Sequence, residues 1–147
     1  MPNTTGTTYY SSDGSLTGSP ITQDSSTWPQ SDSTWKICCA IATAEGYQNG
    51  AGVIPYDYNN PGDITDGSST YGSGTNGITT FPTAEVGWQA LYNKLQNIIS
   101  GGSSTYPSDW SWTQVGNLWA GGDANWATNV AQYLGVDPSE TPADYGG

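Results

Sequence analysis

The apolar segment that stops on Glu45-Gly46 limits most strongly what this chain can fold into. Trp35, Cys38, Cys39 and Ala42 recur at the spacing of one helical face, and Ile37 and Ile41 widen it. The pattern predicts a helix from about Thr34 to Ala44, capped by Asp32 or Ser33 and ended by Gly46. The following stretch, 46–80, is dense in glycine and carries Pro55, Pro61 and the short runs Val53-Ile54 and Ile78–Phe81. It reads as a small, turn-rich β region with a hairpin bearing Asp57, Tyr58, Asn59, Asn60 and Asp63.

Helical signals then return. Thr83 is placed to cap a helix over about Ala84 to Ser100, with the stripe Trp88, Leu91, Leu95, Ile98, Ile99 and a stop at Gly101. Thr113 reads as the cap of a short helix reaching Trp119, broken by Gly121-Gly122. Asp123 caps a last helix through Leu134, ended by Gly135. From Val136 the tail is rich in proline and acids and reads as surface. Residues 1–32 read as an extended Ser/Thr/Gly-rich arm or linker, on which Tyr9, Tyr10, Leu16, Ile21 and Trp28 are scattered. The expected organisation is that arm followed by one α+β domain over 33–147, mostly helical, with a β-hairpin lobe beside the first helix.

Charge narrows the function. Thirteen acids stand against two lysines, Lys36 and Lys94, with no Arg, giving a formal net charge of −11. Nucleic acid and anionic membrane surfaces both require cations that this chain lacks. Having no His removes the Ser-His-Asp triad and most zinc sites, so no metal and no cofactor is expected. Chemistry falls to carboxylates, Tyr or the two cysteines. Cys38 and Cys39 are helical neighbours that cannot face each other, so they read as small buried hydrophobes. No basic, apolar leader resembling a signal peptide is visible; the expected location is extracellular or in a phage virion.

Glu45 is one of three Glu. Glu85 suits the first turn of its helix, and Glu140 lies in the tail. Glu45 sits at a helix C-terminus, where the dipole disfavours negative charge. Desolvation there would hold the carboxyl neutral, as a general acid requires.

The runs AIATAEGY, NNPGDI, GITTFPTAEVGWQAL and WAGGDANWATNVAQYLGV together resemble phage-type domains of the lysozyme-like superfamily, which includes muramidases and lytic transglycosylases. The resemblance covers about 34–137. It implies that Glu45 is the catalytic acid, that Asn59, Asn60, Pro61 and Gly62 form the turn of a hairpin lining the cleft, and that Phe81 and Thr83 lead into the central helix. Asp63 stands where relatives may carry Asn. The arm and the Cys pair have no counterpart in the resemblance. The implied activity is cleavage of the MurNAc–GlcNAc β-1,4 bond of peptidoglycan by a bacteriolytic enzyme that acts as a monomer.

Such cleavage needs an acid for the leaving oxygen and support for an oxocarbenium-like state. Asp57, Asp63 and Asp66 lie within a hairpin's reach of Glu45, and Asp57 and Asp63 are the candidate second catalytic groups; as turn formers they also have a purely local role. A substrate N-acetyl group is the alternative to either. Tyr47, Tyr56, Tyr58, Tyr71, Trp119 and Trp126 are candidates to line a sugar groove, with Asn59, Asn60 and Thr80 as polar contacts. Trp88 and Trp126 sit at helical spacing and read mainly as core. The rival reading is a non-enzymatic glycan-binding or virion/cell-surface structural module, which the strongly acidic balance favours.

Overall fold

The computed structural model describes Leu16 and residues 21–146. Helix α1, Ser33–Glu45, lies at the centre. Asp32 accepts the Trp35 N–H at 2.8 Å to cap it, and Gly46 takes a left-handed φ of 86° to close it. The residues from Thr34 to Ala42 are buried except Lys36, so other elements must surround this helix. Those elements are α4, Ala84–Ile99, α6, Ala124–Leu134, and α7, Pro142–Gly146, all packed on α1. Helix α5, Trp112–Trp119, packs on α6. Thr83 and Asp123 cap α4 and α6 through their side chains, as their positions predict.

The predicted β hairpin does not form: among the described residues there is no strand, and the α+β assignment with a β lobe is corrected to an all-helical arrangement. The polar segment instead holds two one-turn helices, α2 (Ile54–Asp57) and α3 (Ser68–Tyr71). Pro55 at the start of α2 supplies a helical φ and has no N–H for a ladder. The bonds of Asp57 N to Val53 O and Tyr58 N to Ile54 O then close the turn locally. Asn59 and Asp63 hold left-handed φ values of 52° and 55°, which interrupt any extended run. The stretch 78–81 pairs with a different partner at each residue: Ile78 O with Gly74, Thr79 N with Ile64, Thr80 N with Gly72 and Phe81 N with Tyr58. The result is one isolated bridge, Ser73 with Thr79, where a ladder was expected.

Two further boundaries shift. Ser111, not Thr113, caps α5, through a reciprocal capping box with Gln114. The tail also docks: Trp112 N and Thr113 N donate to the carbonyls of Glu140 and Pro138, and α7 lies close enough to α1 and α4 that a Cβ at Gly146 would meet Ile99 and Ile37.

Ile21 and Trp28 are buried in the core, so residues just before Asp32 help enclose α1. Trp28, Tyr47 and Trp88 form an aromatic cluster with centroid separations of 5.2–5.8 Å. The backbone N–H groups of Ile21 and Leu16 donate to Glu85 and Gln89 on α4. Tyr9 and Tyr10 lie outside the described residues. Cys38 and Cys39 are free and buried, the Cys39 thiol donating to Pro29 O at 3.1 Å; burial pushes that thiol up to about 12 and leaves it unreactive.

Candidate active site

The C-terminal end of α1 opens into a cavity of about 320 Å³ lined by Glu45, Asp63, Trp119, Asp123, Asn125, Trp126 and neighbours. Each wall has a local cause. Gly46 ends α1 and so leaves Glu45 at the rim of the core. Asp123 begins α6, accepting the Asn125 N–H, and this start sets Trp126 one turn in, facing Glu45. The Trp126 indole N–H donates to Glu45 Oε2 at 2.9 Å.

Burial, helped by the charges of Asp63 and Asp123, pushes the Glu45 carboxyl up to about 7; the Trp126 hydrogen bond opposes this and does not win. The α1 C-terminal dipole acts in the same direction as burial. Asp63 is also raised, by burial, and its Oδ1 has no hydrogen-bond partner among the described residues. The Asp63 charge is one of the causes of the Glu45 shift, so the two acids sense each other across the cavity. A carboxyl pushed toward its neutral form beside a second acid in one cavity is an arrangement that acid–base chemistry uses.

Trp119 ties the two sides together. Its ring stacks on Trp126, centroids 5.4 Å apart and planes 28° apart, and its indole N–H donates to Gly62 O at 2.9 Å. The residue after Gly62 is Asp63. The acid from α1 and the acid from the loop are therefore positioned by two stacked indoles.

Beyond Asp63 and Trp119, which it shares, lies a second depression of about 480 Å³ that adds Asp66, Lys94, Tyr106 and Leu118. Asp66, Lys94 and Thr105 in turn border a third, of about 860 Å³, rimmed by Tyr71 and Phe81. Neighbouring depressions share wall residues, so the three adjoin in a row, a segmented groove that begins at Glu45.

Of the residues expected at a site, the structure brings Glu45, Asp63 and Trp119 together, with Tyr71 at the far end of the groove. Asp57 lies elsewhere, exposed, with Oδ1 accepting the Gly52 N–H. Tyr47 is buried in the aromatic cluster, where Tyr56 also packs. Tyr58 shares two hydrogen bonds with Thr75, and Thr80 is held through its N–H to Gly72 O. Asn60 is fully buried, its amide donating to Ile64 O and Thr79 O and accepting from Ile64 N. Asn59 donates to Phe81 O. Both asparagines brace the loop that carries Asp63.

Sequence reasoning missed Trp126 as the partner of Glu45, and Asp123, Asn125, Asn129 and Lys94 as walls. A faint signal existed: Asn125 and Asn129 stand four apart, placing two amides on one face of a helix that also carries Trp126. Among the described residues no group of three or more His, Cys, Asp or Glu is arranged to hold a metal, and no helix is long and apolar enough to cross a membrane. In comparisons with known proteins, no family model, curated protein or solved structure matches this chain.

Proposed function

We propose that the protein cleaves the MurNAc–GlcNAc β-1,4 bond of peptidoglycan, with Glu45 as general acid. The observation that carries this reading is the placement of Glu45 at the end of α1 in an open cavity that Asp63 also lines, where burial raises its carboxyl to about 7. Trp126 occupies Glu45 Oε2, so the transferable proton falls to Oε1. From there it passes to the glycosidic oxygen as the bond to the anomeric carbon breaks. Ionised Asp63 faces the same cavity and suits either role left open, stabilising the oxocarbenium-like state or activating water. Trp119 offers a flat apolar face to a pyranose ring, and Asn125 and Asn129 offer amides to hydroxyl and acetamido groups.

The resemblance of the runs AIATAEGY, NNPGDI and GITTFPTAEVGWQAL to those of muramidases and lytic transglycosylases supports the choice of substrate. The experiment is mass spectrometry of products after incubation with purified sacculi. Muropeptides ending in reducing or anhydro-muramic residues are expected from the unmutated protein and absent with Glu45→Gln. Sacculi left intact by a folded protein at every pH from 3 to 8 would overturn the proposal.

A further inference from the structure

Lys94 is one of only two cations in a chain of net charge −11, and it stands where the second and third depressions of the groove meet. The other, Lys36, is exposed on α1 and lines neither. The Lys94 ammonium lies 4.9 Å from the Tyr106 ring centroid and 5.2 Å from that of Trp119, and 2.8 Å from Asp66 Oδ1. An ammonium has three donors. Asp66 Oδ1 is its one hydrogen-bond acceptor among the described residues.

The plain alternative is a clamp that ties α4 to the loop at Asp66. The Lys94 side chain is 17% exposed and that of Asp66 47%, and a pair whose acid stands this far in water contributes little to stability. The two rings, by contrast, shape a fixed seat for the ammonium inside a groove whose other charged walls are acids, Asp63 and Asp66.

We propose that Lys94 makes the groove selective for glycan that carries acids, its free N–H groups receiving a carboxylate borne by the sugar chain. This rests on the peptidoglycan reading and deepens it, since muramic residues bear a lactyl carboxyl, free or extended by a peptide with carboxylates of its own. Asp66 tempers the site: it holds Lys94 in place and repels the incoming acid.

The test measures binding in the Glu45→Gln background, so that strands stay intact. Three probes are used: peptide-free glycan strands, peptide-bearing strands, and peptide-free strands whose carboxyls are capped as methyl amides. Lys94→Met should weaken binding to the acid-bearing strands about tenfold at low salt and leave the capped strands unchanged, with Lys94→Arg restoring affinity. Asp66→Asn should strengthen acid-bearing strands alone. Whether the lactyl or the peptide carboxylate is read follows from which uncapped strand responds. A clamp predicts that Lys94→Met and Asp66→Asn act alike on all three probes; that result, or an acid-bearing affinity indifferent to Lys94→Met, overturns the inference. Selective binding without turnover would remove the enzyme reading and leave this one standing, and turnover without selectivity would do the reverse.

Discussion

Trp126 donates its indole N–H to Glu45 Oε2 at 2.9 Å while its ring stacks on Trp119. One residue thus orients the acid and links it to the indole that holds the Asp63 loop through Gly62 O. The hydrogen bond also favours the ionised carboxylate, against burial and the neighbouring acids.

Trp126→Phe tests this pairing. The variant keeps an aromatic ring and loses the donor. The Glu45 pKa should rise, moving the alkaline limb of the pH–rate profile upward, and the maximal rate should fall about tenfold as the carboxyl loses its orientation. An unmoved alkaline limb would show that the bond does not govern the acid.

Glu45 also links stability to pH. Its pKa is about 7 in the fold against an ordinary value of 4.5. A carboxyl raised by folding keeps its proton in the native state while the unfolded chain loses it. Stability is therefore lost as pH rises from about 4.5 through about 7. The shift corresponds to a loss on the order of 3 kcal/mol. Glu45→Gln removes this penalty. Its denaturation midpoint should match the parent near pH 4 and exceed it at pH 8; equal midpoints at both would remove the raised pKa.

Much of this arrangement was legible before the fold. Asp32, Thr83 and Asp123 announced the starts of α1, α4 and α6, because capping is chemistry between close neighbours. Glu45 stood out because it sits against the dipole of its own helix. The β hairpin was misread because the runs Val53-Ile54 and Ile78–Phe81 suit strands locally, whereas pairing depends on distant partners. Here a buried Asn60 amide takes the Ile64 and Thr79 backbone groups that a ladder would have used. The docking of the tail was not legible because Pro142 and Tyr145 become apolar contacts only once α1 and α4 offer them a surface. Trp126 read as core and is core over most of its ring, at 4% exposure; nothing in its spacing showed where the indole N–H points.

Asn60 carries a structural prediction. Asn60→Ala leaves the carbonyls of Ile64 and Thr79 and the Ile64 N–H without their side-chain partner inside the protein. Ile64 O keeps the Thr79 N–H, but Thr79 O and the Ile64 N–H are stranded, and each buried group stranded in this way costs about 1–3 kcal/mol. The variant should lose about 3 kcal/mol or more by urea denaturation, and the Asp63 loop should open to hydrogen exchange. A loss under 1 kcal/mol would mean that the loop is held by other contacts.

Gly87 presents a steric counterpart. A Cβ there would come within bonding range of the Asn59 carbonyl, a backbone atom that no rotamer change can move aside. Gly87→Ala gains helix propensity, yet it must push α4 and the loop apart, at about 1–3 kcal/mol. Reduced stability together with reduced turnover is expected. A more stable variant with full activity would show that the close approach is not needed to place Asp63.

Asp63 gives the sharpest reading of the acid pair, because its two effects run in opposite directions. In the proposed mechanism ionised Asp63 serves the transition state, so activity should fall on the acid side as Asp63 takes up its proton, at a pH above the ordinary carboxylate value. Its charge also raises Glu45, which sets how far toward alkaline pH the general acid stays protonated. Unmutated protein should therefore show a bell, falling above about pH 7. Asp63→Asn should flatten the acid limb and at the same time move the alkaline limb to lower pH, since Glu45 no longer faces a carboxylate. The rate at the optimum should drop about tenfold, because transition-state charge is shared with other dipoles, while Glu45→Gln should cost ~10²–10⁴-fold. Rates for both variants across pH 3–9 decide the matter. An Asp63→Asn profile that keeps both limbs in place would dismiss the pair as a catalytic unit.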